Sequence, residues 1–204
     1  MNTLKELEEN ISQVEYDSLK KVFQNLDSRK DGRLDTQEIL DAVLRLGYRS
    51  TLREIELMIW EVDDDLDQHV SWEEFLVMYQ RCISDRTGLE PRGLFNLVQF
   101  LMYDKDNLGS ISVEQTLQIL FVRYGREKLD AEIQEIFGDD GDKQSGRTAA
   151  DGQEKRITFS EYLQRVNARL KKTRSAKPEV TKVQIITKEQ AAAAKKKTLS
   201  KLFT

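Results

Sequence analysis

Between residues 63 and 74 the chain reads DDDLDQHVSWEE, with oxygen-bearing side chains at alternate positions and a glutamate at its end. A hard cation such as Ca2+ takes roughly six to eight oxygen ligands, and a twelve-residue loop can supply them from positions 1, 3, 5, 7, 9 and 12. Asp63, Asp65 and Asp67 fill the first three of these positions, the His69 carbonyl the fourth, Ser71 the fifth and Glu74, as a bidentate carboxylate, the last. Gln68 stands at position 6, where glycine normally takes a left-handed backbone. A side chain there costs about 1–2 kcal/mol, or about one decade in affinity. The loop is therefore expected to bind Ca2+ in a weakened form. The plainer reading of the same residues is an acidic turn between helices, with Val70 kept only to pair against a neighbouring loop.

The stretch 27–38, DSRKDGRLDTQE, repeats the pattern with one exchange. Asp27, Asp31, Asp35 and Glu38 fall at positions 1, 5, 9 and 12, Gly32 at position 6, and the Arg33 carbonyl at position 7. Arg29 at position 3 replaces an oxygen ligand by a cation; its guanidinium can swing outward and water can take its place, yet the site loses one negative charge and gains a positive one, and weak binding is expected. In 104–115, DKDNLGSISVEQ, Asp104, Asp106, Gly109 and Ser112 remain. Leu108 offers no oxygen at position 5 and Gln115 cannot supply a bidentate carboxylate at position 12, so no Ca2+ is expected there. A fourth unit is damaged: Ile157, Thr158, Phe159 and Glu161 resemble Val70, Ser71, Trp72 and Glu74, but counting from Gly138 gives 24 residues through Glu161. No metal is expected there either, although Ile111 and Ile157 can form a short two-stranded contact without one.

Such loops need a helix on each side to hold their ends. Apolar residues recur at helical spacing through most of the first 170 residues, as in Tyr16, Leu19, Val22, Phe23 and Leu26, or Ile39, Val43 and Leu46. Ser12 with Glu15 and Thr51 with Glu54 fit capping boxes, and Gly47 stops the helix before the second. The acidic clusters begin at Asp27, Asp63 and Asp104, 36 and then 41 residues apart, close to the length of two short helices and a loop. The longer step holds SDRTG over 84–88 and Glu90-Pro91, whose proline suits a first helical turn. The expected fold class is all-α, with four helix-loop-helix units in two pairs. Residues 1–84 form the first pair, 85–92 a linker, 93–170 a degenerate second pair and 171–204 an irregular basic tail.

The formal net charge of −4 hides an uneven distribution: residues 171–204 hold ten Lys or Arg against two Glu, a net +8, which leaves −12 on residues 1–170. An acidic body suits cations or a basic partner, and a basic end suits an acidic surface. Leu199, Leu202 and Phe203 among lysines can form a short amphipathic helix on a partner; a solvated, disordered end is the competing reading. The single Cys82 cannot form an intramolecular disulfide and the first residues carry no apolar stretch behind a basic one, which together suggest a reducing, intracellular compartment. No apolar run reaches the roughly 18 residues of a membrane span, and Asn2 stands where myristoylation needs glycine. Catalysis is not expected, since His69 is the only histidine and Cys82 has no basic partner beside it. Phe23, Phe75, Phe95 and Phe100 read as core, and an acidic body would repel phosphate, so no specific nucleic-acid partner is expected.

Residues 44–78 carry the most specific pattern. The Leu46-Gly47 ending, the Thr51 to Glu54 cap, Glu61-Val62-Asp63 and Glu74-Phe75-Leu76 resemble the calmodulin, troponin C and centrin group of EF-hand proteins. The resemblance covers residues 10–170, is strongest in the first pair, and fails in the fourth loop and the tail. It implies Ca2+ binding, a hydrophobic groove opened in each lobe, and an amphipathic helix of a partner protein clasped there. Met58, Met78 and Met102 are the only internal methionines, whereas promiscuous grooves are methionine-rich, so one dedicated partner is expected. EF-hand subunits of cilia and flagella are similar in their degenerate loops. With a tail suited to an acidic surface such as tubulin, that similarity suggests a cytoplasmic, cytoskeletal place, in a ciliary or flagellar axoneme. Two functions stay open: a calcium-responsive adaptor whose second lobe stays on its partner while the first changes shape, or a calcium-independent structural subunit.

Overall fold

The structure, a computed structural model, describes residues 11–138 and 155–175. Seven helical segments and two short sheets occur among them: α1 (Gln13–Leu26), β1 (Arg33–Leu34), α2 (Thr36–Arg45), α3 (Leu52–Trp60), β2 (Val70–Ser71), α4 (Trp72–Ser84), α5 (Gly93–Tyr103), β3 (Ser110–Ser112), α6 (Val113–Phe137), β4 (Arg156–Thr158) and α7 (Phe159–Ser175); α6 is broken into two helices at Gly125, whose φ of 68° and ψ of 176° are not helical. The insert over 139–154 and the tail beyond 175 lie outside the described residues. α7 continues past the expected start of the tail at 171, because Lys and Arg remain good helix formers there.

Local chemistry sets most helix ends. Asp35 with Glu38, Thr51 with Glu54, Ser71 with Glu74 and Ser112 with Gln115 each form a capping box, in which side chain and backbone satisfy one another's free amides. At Ser12 only half of the expected box forms: its hydroxyl accepts the Glu15 N–H at 3.4 Å and donates to one Glu15 carboxylate oxygen at 2.7 Å, while the other oxygen turns into the core towards Tyr79 and Arg123. After α2, Gly47 takes φ 71°, with its N–H bonded to Leu44 O at 2.9 Å and Tyr48 N–H to Val43 O at 3.2 Å. These two bonds close the helix with a left-handed cap. Pro91 does not enter a helical turn as expected. Helix α5 starts at Gly93 behind an Arg92 cap, because the preceding turn is tied to the end of α4: the Cys82 thiol donates to Pro91 O at 3.3 Å and Arg92 to Cys82 O at 2.9 Å.

Each sheet joins two loops. β1 and β2 are antiparallel, with Leu34 opposite Val70, and β3 and β4 are antiparallel, with Ile111 opposite Ile157, the contact suggested by their spacing. All four aliphatic side chains are buried, so every loop is pinned to the core by one residue.

Helix α5 organises the molecule. Nine of its eleven residues are buried, as expected of a helix that is apolar nearly all round. It packs against α1, α3 and α4 on one side and α6 and α7 on the other, and one apolar core runs through both halves of the chain. Between α4 and α5 the chain makes a tight turn. The Asp85 carboxylate accepts the N–H groups of Thr87, Gly88 and Glu90 at 2.7, 3.0 and 3.1 Å. Burial would raise this carboxyl, but the Thr87 hydroxyl and these amides bring it down to about 2.

Candidate metal centre

Three loops share one backbone frame. At position 4, Lys30, Leu66 and Asn107 have φ of 58°, 66° and 54°; at position 6, Gly32, Gln68 and Gly109 have φ of 79°, 69° and 70°. At position 1, one oxygen of Asp27, Asp63 and Asp104 accepts the position 6 N–H, at 2.9 Å in every loop. What differs between the loops is the group that faces the carboxylates gathered by this frame.

In loop 63–74 the carboxylate oxygens of Asp63, Asp65 and Asp67 lie within 4.8 Å of one another. Glu74 swings over the loop from the first turn of α4, accepting Asp64 N–H at 2.6 Å with one oxygen, and Ser71 N–H at 2.9 Å with the other. Burial, together with the neighbouring Glu74 and Asp65 charges, holds the Asp63 carboxyl above its ordinary value despite the Gln68 and Leu66 amides. Arg33 reaches over from β1 to Asp67 at 2.8 Å, an exposed pair worth less than about 1 kcal/mol. The His69 ring nitrogen Nδ1 lies 2.8 Å from the Asp67 carbonyl, so the ring is engaged within the loop. A set of hard oxygens crowded against their own repulsion fits a divalent cation of calcium type, and Asp63, Asp65, Asp67, Ser71 and Glu74, with the His69 carbonyl, are the residues that would hold it. Gln68 adopts the left-handed backbone that its position requires. Gln68→Gly is expected to stabilise the chain by about 1 kcal/mol in urea unfolding, because the relieved strain exceeds the extra freedom that glycine gives the unfolded chain.

Loop 27–38 has supplied its own cation. The Arg29 guanidinium, half exposed, lies over the loop's own carboxylates. It pairs with Asp35 and lies 3.8 Å from Asp31 and 3.7 Å from Glu38, because the frame brings these carboxylates together within reach of a side chain that carries the opposite charge. A cation entering the set formed by Asp27, Asp31, the Arg33 carbonyl, Asp35 and Glu38 must first displace it. Arg29→Asp is therefore expected to add a second Ca2+ binding event in calorimetric titration, since it restores the position 3 ligand and removes the competing charge.

Loop 104–115 is closed by the Gln115 amide from within and by the Arg156 guanidinium from the neighbouring strand. The Gln115 amide donates to Asp106 at 2.6 Å while its oxygen accepts Ser112 N–H at 3.1 Å, and Arg156 donates to Ser110 O at 2.8 Å from the neighbouring strand. Leu108 is left in solvent, 66% exposed. Outside the loops, Cys82 is buried, and burial pushes its thiol up to about 12, which leaves it unreactive at neutral pH. Phe23, Phe75, Phe95 and Phe100 are all core residues. No described helix is long and apolar enough to cross a membrane.

Paired loops, each between two helices and joined by a short sheet, define an EF-hand pair, and the family of EF-hand domain pairs matches residues 16–80. Residues 16–80 are thus similar to EF-hand domain pairs. Among similar proteins, probable calcium-binding protein CML27 of Arabidopsis thaliana is 33% identical over 104 residues, 51% of this chain and 56% of the relative. Probable calcium-binding protein CML25 of the same plant is 30% identical over 126 residues, 61% of this chain and 64% of the relative. Calcium-dependent protein kinase 9, also of Arabidopsis thaliana, is 27% identical over 146 residues, 71% of this chain but 25% of the kinase. The chain thus spans less than two thirds of the length of each of these three.

Proposed function

We propose that this chain is a calcium-binding EF-hand adaptor that grips a helical segment of one dedicated protein partner. The observation that carries this reading is the contrast between loops: 63–74 presents a full set of oxygens, while 27–38 is occupied by Arg29 and 104–115 is closed by Gln115. Loop 63–74 is the main Ca2+ site and 27–38 a weaker one, because Arg29 competes for its carboxylates. The second half, over 93–170, is a degenerate EF-hand pair whose loops are joined by β3 and β4 without need of metal. It carries a cleft of about 740 Å³ lined by Leu117, Phe121, Val122 and Leu129, with Lys105 and Arg156 balanced by Asp106 and Glu114 at its polar edge. A partner helix with an apolar face fits this cleft whether or not Ca2+ is present.

A cytoskeletal place for the partner, in an axoneme, is favoured by the degenerate loops and by the +8 carried over 171–204, which suits an acidic surface such as tubulin. Calorimetric titration of the intact chain with Ca2+ tests the reading. One ion bound per chain in the micromolar range of sensors supports it. No binding would leave the second reading, a calcium-independent structural subunit of the same kind of assembly.

A further inference from the structure

We propose that α5 is the built-in occupant of the first EF-hand pair: it fills the apolar cleft that the pair would offer to a partner helix, and such a helix reaches this cleft only when α5 leaves. The part of the inference that concerns a partner rests on the helix-gripping function proposed above; the filling of the cleft does not.

Helix α5 contacts three helices of the first pair, α1, α3 and α4. Gly93, its first residue, lies so close to α3 that a Cβ built on it would stand 2.7 Å from Met58 Cγ. Two residues on, the Phe95 ring lies 5.8 Å from the Tyr79 ring of α4. Towards its other end the helix belongs to the second half, where Phe100 packs edge-on to Phe159 at 5.1 Å and lies 5.6 Å from Tyr162. A partner helix lying in a groove keeps a polar back for solvent. α5 has none, because the first pair covers one part of it and α6 and α7 the other. Of the first pair's internal methionines, Met78 is buried and Met58 rests on Gly93, so neither is free to line an open groove.

A polar clamp holds the arrangement shut. Arg123 of α6 donates to Glu15 of α1 at 2.9 Å and to the hydroxyl of Tyr79 on α4, and that hydroxyl donates to Glu15 at 2.8 Å. The two charged side chains are only 9% and 7% exposed. The second half therefore grips the two helices between which α5 lies, and release of α5 must break a buried ion pair as well as apolar contacts.

The full chain carrying Met58→Cys and Gly93→Cys with Cys82→Ala tests this, since a disulfide needs Cβ atoms about 3.8 Å apart. Oxidation is expected to yield an intramolecular bond. In Ca2+, a synthetic amphipathic leucine–lysine peptide should bind the first pair of the oxidised chain, read from the amide chemical shifts of α1 to α4 so that binding at the second-half cleft is not counted, at least about tenfold more weakly than that of the reduced chain, because the cleft-open state has been removed. A bond that forms while neither chain takes the peptide upholds the filled cleft and overturns helix gripping by the first pair. A bond that forms in a chain with no Ca2+ binding upholds the filled cleft and overturns the calcium reading. Equal peptide binding by both chains, or no intramolecular bond, overturns the proposal. Hydrogen exchange on the unaltered chain checks it without substitution: α5 amides should be as protected as those of α1 and α4, and exchange on the order of a hundredfold faster in α5 would overturn it.

Discussion

Glu74→Gln is expected to weaken Ca2+ binding at loop 63–74 on the order of a hundredfold, about 3 kcal/mol. The substitution keeps the shape of the side chain and exchanges one of two ligand oxygens for an amide nitrogen that cannot coordinate a cation. It also lowers the negative charge of a site in which Asp63, Asp65, Asp67 and Glu74 are the carboxylates. The fold should suffer much less. Glu74 accepts Asp64 N–H with one oxygen and Ser71 N–H with the other, and glutamine retains one acceptor, so the loss of stability is about 1 kcal/mol. Loop 104–115 already shows the outcome, since Gln115 closes the same frame from the same position. Calorimetry gives the affinity and urea unfolding in chelator gives the stability. A large fall in stability with unchanged affinity would mean that Glu74 is a cap and no more.

Arg123→Met is expected to destabilise the chain by about 3–5 kcal/mol, because it leaves the Glu15 carboxylate buried without a countercharge, with only the Ser12 and Tyr79 hydroxyls bonded to it. Replacing both residues, as Glu15→Leu with Arg123→Met, should recover much of that loss, since the cost comes from the uncompensated charge. The pH dependence carries a separate signature. Burial alone would raise the Glu15 carboxyl, but Arg123, Ser12 and Tyr79 hold it below its ordinary value of 4.5. A depressed folded value means that the unfolded chain binds the proton more readily. The contribution is complete above 4.5 and is lost as the pH falls from there through the lowered folded value. In the double variant this part of the acid limb should flatten. Urea unfolding between neutral and acid pH measures both effects, and an unchanged acid limb would show that the pair does not couple to folding.

What the sequence determined by itself is what lies within a few residues. Capping boxes such as Thr51 with Glu54, the left-handed stop at Gly47, and the regular placing of oxygens over 63–74 depend on spacings of three to five residues, and the backbone frame follows from them. Even the strain at Gln68 is legible, because position 6 imposes its φ whatever residue stands there. The pairing of Ile111 with Ile157 is less local, yet readable, because each loop of this kind carries one aliphatic residue at the same place. Tertiary structure decided the rest. Whether Arg29 points to solvent or lies across Asp31, Asp35 and Glu38 depends on how closely the loop folds those carboxylates together, which no spacing reveals. Pro91 lost its place in a helix to contacts between the end of α4 and the start of α5. The central seat of α5 and the clamp of Glu15, Tyr79 and Arg123 join residues as much as 108 positions apart. Helical periodicity marks an apolar surface but not what will cover it, and only packing of the two halves brought those side chains together.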